Sequence, residues 1–231
     1  MLERMNKYLL DNIAWHALNG PHRLFSCGGS TAKRYAKGFS PIVGYESCEN
    51  PNFSALQMQC DIGEHLYCSG WTGLAVEGWD VLADTSASLM IWEQAIPELN
   101  LALPIQTLQE KDLSQVLELA ALAHLDPFGP RAMELGAFLG IFLGDRLVAM
   151  GGERMAVKGF REISSVATHP EHQGRGYARG IMAALMHKQM LSKEMPFLHV
   201  MVENIHAHAI YERMGFTTYK EIPVRVIARV K

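Results

Sequence analysis

The sequence predicts an α/β (α+β) protein: a mixed central sheet flanked by helices, with an additional N-terminal α/β region. Three observations carry this. In the second half of the chain the apolar period switches back and forth between strand-like and helix-like spacing. A glycine-rich turn there lies between a strand pattern and an amphipathic helix. The 231 residues are 48% hydrophobic and 19% charged, a composition that can bury a core and is unlike a disordered chain.

Residues 1–19 space Leu2, Met5, Leu9 and Ile13 as one helix face, and Asn19-Gly20-Pro21 stops it. Residues 21–95 are Gly-rich and irregular, with short apolar runs at 79–82 and 88–92 that suggest strands and helices of uncertain order. Pro97 and Pro104 bracket a short stretch before the periodicity sharpens. The boundary is therefore expected near residue 100, dividing 1–102, a region of unreadable role, from 103–231.

The second region reads as a strand at 105–108, a helix at 112–124 with Leu113, Val116, Leu117 and Ala120 on one face, and a Pro/Gly break at 127–130. Apolar runs at 137–143 and 147–157 flank Gly144-Asp145 as a hairpin, and 160–168 supplies a third strand. Ala178, Ile181, Met182 and Leu185 form the apolar stripe of the next helix. A strand at 197–203, a helix through Met214 ended by Gly215, and a closing strand at 224–230 complete the chain.

Several function classes drop out. A formal net charge of −3 with scattered Lys and Arg leaves no basic stripe for a phosphate backbone, so nucleic acid is not expected as a partner. No 18-residue apolar run is present and the N-terminus lacks a signal-peptide core, so no membrane partner is expected. The four cysteines form no C-x-x-C pair and read as reduced thiols of a cytoplasmic protein. His169, His172, His199, His206 and His208 lack a recognisable ligand spacing, so no metal is expected. Met182, Met186 and Met190 read as adaptable packing.

The turn Gln173-Gly174-Arg175-Gly176 carries the chemistry. Free N–H groups at a helix start, reinforced by the macrodipole, attract an anion. Gly174 and Gly176 would let a phosphate approach the backbone, with Arg175 and Arg179 at its rim. An ordinary loop before an amphipathic helix would look similar. A P-loop is excluded because no Gly-Lys-Ser/Thr ending exists; a dinucleotide fingerprint fails because Gly180 comes one residue late and too little chain follows.

The run Gln173-Gly174-Arg175-Gly176-Tyr177-Ala178 resembles the coenzyme A signature of the GNAT superfamily of N-acetyltransferases. A second signature of that family is matched by Asn204, Ala207, Ile210, Tyr211, Glu212, Arg213, Gly215 and Phe216. The resemblance covers 103–231, loosely closest to the glycine N-acyltransferase-like branch. It implies acetyl-CoA as co-substrate and direct transfer of its acetyl group to a primary amine on a small molecule, amino acid or peptide, without a covalent cysteine intermediate.

The resemblance also implies roles for residues. Tyr211 would be the general acid for the departing thiolate, though its spacing from Ala207 also suits a core aromatic. Glu162 would be the base, aimed at the acceptor from a strand edge, with Glu153 or a water chain as alternatives. Val166, Ala167 and Thr168 would bind pantetheine through the backbone of a splayed strand and polarise the carbonyl. Asn204 would contact the pantetheine arm or acceptor, or else cap the following helix. Two rivals remain: a non-catalytic coenzyme A-binding module, and transfer of a longer acyl chain to an amino acid such as glycine. Residues 1–102 would be a degenerate second half of the same type, or a lid or dimerisation region; the closing strand could pair between subunits as a homodimer.

Overall fold

The computed structural model describes residues 6–125 and 127–231; Leu2 and Met5 of the expected first helix lie outside these. Eleven strands form one sheet in the order β1-β2-β3-β4-β11-β5-β10-β9-β8-β7-β6. The N-terminal part supplies β1 (Ser26–Gly28), β2 (Ala32–Tyr35), β3 (Ile42–Tyr45), β4 (His65–Ser69) and β5 (Trp79–Ile91). The remainder supplies β6 (Ile105–Thr107), β7 (Phe138–Leu143), β8 (Arg146–Val157), β9 (Phe160–Thr168), β10 (Met195–Met201) and β11 (Thr217–Arg229). The helices are α1 (Ile13–Asn19), α2 (Leu113–Leu122), α3 (Tyr177–Leu191) and α4 (Ile205–Met214).

The mixed α/β architecture expected from sequence is present, and β6 to β10 follow the anticipated succession. Two strands differ from expectation. β5 is one strand of 13 residues rather than two short runs, because its small and polar middle, Ala83 to Ser88, pairs along its length with β11. β11 begins seven residues early, at Thr217, and carries Lys220, Glu221 and Pro223, residues that obscure a strand pattern. β5 thus lies between β10 and β11, and the sheet runs unbroken across the expected boundary at 102/103.

Two helix layers sandwich the central strands. Ile181, Met182, Leu185 and Met186 of α3 pack with Ile163, Leu198, Val200 and Phe216, and α4 adds Ala207, Tyr211 and Met214. Burial of each large apolar side chain there stabilises by roughly 1.5–3 kcal/mol. In a separate cluster, Ile13, Ala14, Ala17 and Leu18 of α1 pack with Tyr35, Phe39, Leu89, Phe160 and Phe197. Successive strand residues point to opposite faces, so Phe197 looks to the α1 layer while Leu198 and Val200 look to α3 and α4.

Candidate active site

The site begins where two parallel strands part. β9 and β10 pair only at Met195↔Phe160, Pro196↔Arg161 and Phe197↔Glu162. Past that point each continues without the other. A bulge in β9 accompanies the fork: between the β8 partners Gly152 and Met150, the pairing advances three residues on β9, from Ser164 to Ala167. The additional residue is accommodated at Ser165, whose φ of 56° is left-handed. Val166, Ala167 and Thr168 follow this bulge; Ala167 and Thr168 stay paired to β8, leaving the edge toward β10 open.

β9 then leads through a short turn into α3. Gln173, Gly174, Arg175 and Gly176 are all exposed. Gly174 and Gly176 have φ of 75° and 76°, and a Cβ on either would meet no protein atom within 4 Å. Conformation therefore requires glycine here, while the space above the turn is open. The first helical bond runs from Gly180 N–H to Gly176 C=O at 3.0 Å, so the N–H groups of Tyr177, Ala178 and Arg179 precede any intrahelical acceptor. Arg175 and Arg179 stand exposed at this end, which together with the dipole suits a pyrophosphate.

On the α4 side, the Asn204 carboxamide oxygen accepts from Ala207 N–H at 3.1 Å, so the helix-capping alternative for Asn204 is realised. Tyr211 is partly buried against Phe216, their ring centroids 6.1 Å apart. Burial raises its hydroxyl above the usual phenol range, which keeps the proton in place until a strong base appears.

Glu162 requires a correction. Instead of standing at a strand edge facing an acceptor, its side chain is completely buried and engaged at both oxygens. Arg154 donates to it from Nε at 2.9 Å and Nη2 at 2.5 Å, the Met155 N–H donates at 3.1 Å, and His199 Nδ1 lies 2.7 Å away. Desolvation alone would raise the carboxyl; the Arg154 charge and hydrogen bonds, with His199, overcome it and hold the group down at about 2. A carboxylate this acidic and this fully bonded has little capacity to take a proton from an amine. Glu153, the alternative, is also occupied: it accepts from Ala137 N–H at 2.9 Å and Gln189 Nε2 at 3.2 Å, tying β8 to α3 on the opposite face.

Sequence reasoning passed over Arg154, Ser165, His22, Tyr35 and the pairing of His199. His22 Nδ1 lies 2.8 Å from the Tyr35 hydroxyl, and both feel the Glu162 charge. Burial, with Arg161, lowers His22 to about 4, so it is neutral near pH 7. The one available signal was alternation: on β10, His199 shares the face of Phe197. His169, Glu171 and His172 bring ligand atoms within 4.8 Å; there His169 Nδ1 accepts from Glu171 N–H and its Nε2 sits 2.6 Å from the Arg146 guanidinium, so both ring nitrogens of His169 are already engaged.

Known proteins share this architecture. A protein described as a GNAT-family acetyltransferase, from Novosphingobium aromaticivorans, superposes with a TM-score of 0.85 at 24% identity, covering 96% of this chain and 99% of that one. A GCN5-related N-acetyltransferase from Kribbella flavida gives 0.62 at 14% identity over 96% and 95% of the two chains. A GCN5-related N-acetyltransferase-like protein from Streptococcus suis gives 0.59 at 13% over 97% and 95%. The chain therefore has the fold of the GNAT acetyltransferases. Residues 138–225 match the family described as FR47-like protein, a stretch that contains the fork, the glycine turn and α4. No match was found among curated proteins. Among the described residues, no helix is long and apolar enough to cross a membrane.

Proposed function

We propose that this protein is an N-acetyltransferase that passes the acetyl group of acetyl-CoA directly to a primary amine. The observation that carries the reading is the continuity of the open β9 edge with the turn Gln173–Gly176 and the start of α3. An extended pantetheine arm could lie along the first while its pyrophosphate meets the N–H groups of the second. Thr168, the last residue of β9, has an Oγ1 that is buried with no hydrogen-bond partner among the described residues. In this reading Gln173, Gly174, Arg175, Gly176, Tyr177, Ala178 and Arg179 bind the phosphates. Val166 and Ala167 bind the arm by backbone groups, Thr168 adds its hydroxyl, and Asn204 and Ala207 shape the α4 side.

The acetyl carbonyl would rest at the fork, with acceptor and thioester held together so that orientation supplies much of the rate. Tyr211, kept protonated by burial, gives its proton to the departing sulfur. The N-terminal layer covers the opposite face, and with it part of the acceptor side.

Calorimetric titration with acetyl-CoA, desulfo-CoA and NADPH, followed by thiol-release assays over amines, amino acids and peptides, tests this. Acetyl-CoA binding with amine-dependent thiol release is expected; absence of binding by every coenzyme A form would overturn it. In Tyr211→Phe, coenzyme binding should persist while turnover falls by about 10²- to 10⁴-fold.

A further inference from the structure

We propose that His199 is the group that accepts the acceptor amine's proton, and that Glu162 is its positioning partner; this rests on the acetyltransferase reading above. An ionised carboxylate can only accept hydrogen bonds. The 2.7 Å contact between Glu162 Oε1 and His199 Nδ1 therefore places a ring proton on Nδ1, so that in the neutral imidazole the lone pair is on Nε2, on the edge of the ring away from Glu162. Among the described residues no group bonds to Nε2. The side chain retains 13% of its surface.

Position supports the role. His199 is two residues past Phe197, the last β10 residue paired to β9, and so it stands where the strands separate. Its side chain shares the Phe197 face, their ring centroids 5.8 Å apart, whereas Tyr211 packs with Leu198 and Val200 on the other face. A thioester in the fork would then have a proton acceptor on one face of the sheet and a proton donor on the other.

The surroundings contributed by each element are defined. β9 brings Glu162, β8 brings Arg154, and the N-terminal layer brings the His22–Tyr35 pair. On β5 the opposing residue is the apolar Leu89. The Arg154–Glu162 pair holds the carboxylate ionised, so the imidazole is oriented by an anion that does not itself exchange protons near pH 7.

The acceptor ammonium gives one proton to Nε2, and the freed amine attacks the acetyl carbonyl carbon, forming the C–N bond. As the C–S bond breaks, Tyr211 protonates the thiolate; the second proton lost by nitrogen returns through solvent to the tyrosinate. His199 releases its proton to solvent when product leaves.

The experiment compares wild type, His199→Gln and Glu162→Gln, using acetyl-CoA and the amine that gives fastest thiol release with the wild type. Each variant's acetyl-CoA affinity is measured first, and both should match wild type. His199→Gln should lower kcat by about 10²- to 10⁴-fold, and the acidic limb of its kcat/KM profile should disappear. In Glu162→Gln that limb should persist but move to lower pH, because the anion balancing an imidazolium is gone. A purely structural His199 would leave the limb in place. Unchanged kcat and pH profile in His199→Gln would overturn the proposal.

Ring ¹⁵N spectra of the wild type, with the His199 signals assigned by their loss in His199→Gln, provide a readout that needs no acceptor. In the neutral ring a protonated Nδ1 beside an unprotonated Nε2 is expected, and the reverse tautomer would overturn the assignment. If no amine supports thiol release, the acetyltransferase reading fails, while the tautomer still reports on the His199–Glu162 pair.

Discussion

At Glu162, full burial would favour the neutral acid, and the Arg154 guanidinium reverses that preference. A buried charge that loses its partner is costly. Arg154→Ala should therefore reduce unfolding free energy by about 3–5 kcal/mol in urea titrations. Glu162→Gln in the same background should recover part of the loss. The pH dependence follows from the depressed carboxyl, which lies at about 2 against an ordinary 4.5. Its contribution is complete above about 4.5 and is lost as pH falls toward 2. Wild type should therefore lose stability across that window more steeply than Glu162→Gln, as acid-titrated urea midpoints would show. Glu162 is a buried structural anion as well as a partner for His199.

The elements that shape the site do so through backbone conformation. Ser165 holds a left-handed φ within β9, a conformation that costs a residue with a Cβ roughly 1–2 kcal/mol. Ser165→Gly should be neutral or stabilising, and Ser165→Val should destabilise by about 1–2 kcal/mol, both measured by thermal unfolding. If the bulge opens the fork for pantetheine, Ser165→Val should also weaken acetyl-CoA binding. At the turn, Gly176→Ala meets no steric obstacle but must keep a positive φ. An affinity loss of about tenfold, corresponding to about 1.4 kcal/mol, is expected by calorimetry. Gly180 has a different reason to be glycine: a Cβ there would come within 2.2 Å of Leu103 Cδ1, where the segment before β6 crosses α3.

For the whole molecule, the consequential feature is β5. It pairs with β11 from Trp79↔Arg229 to Ile91↔Thr217 and with β10 from Ala87↔Met201 to Ile91↔Phe197. Removing it would separate β10 from β11 and expose unpaired edges on both. A fragment comprising 103–231 should therefore aggregate or show little protected structure in hydrogen exchange. The full chain should unfold in one calorimetric transition, with equal van't Hoff and calorimetric enthalpies; two resolved transitions would show that the parts on either side of 102 fold separately. The N-terminal layer also supplies α1, His22 and Tyr35 to the face that holds Glu162 and His199. Changes there should alter acceptor choice more than coenzyme affinity.

Local chemistry made much of this legible in advance. The helices at 113–122 and 177–191, the hairpin at Gly144, the strand at 160–168 and the glycine turn depend on periodicity, turn residues and backbone freedom, all expressed within a few neighbouring residues. The pairing of β5 with β11 was not legible, because its register joins residues more than a hundred positions apart through backbone hydrogen bonds that are indifferent to side chains. Nor was the state of Glu162. A glutamate in a strand reads alike whether it meets solvent or Arg154 and His199, and its acidity depends on charges and burial assembled from three strands. The type of each element is a short-range property; the partner of a strand, and the protonation of a side chain between strands, arise when distant segments exclude water together.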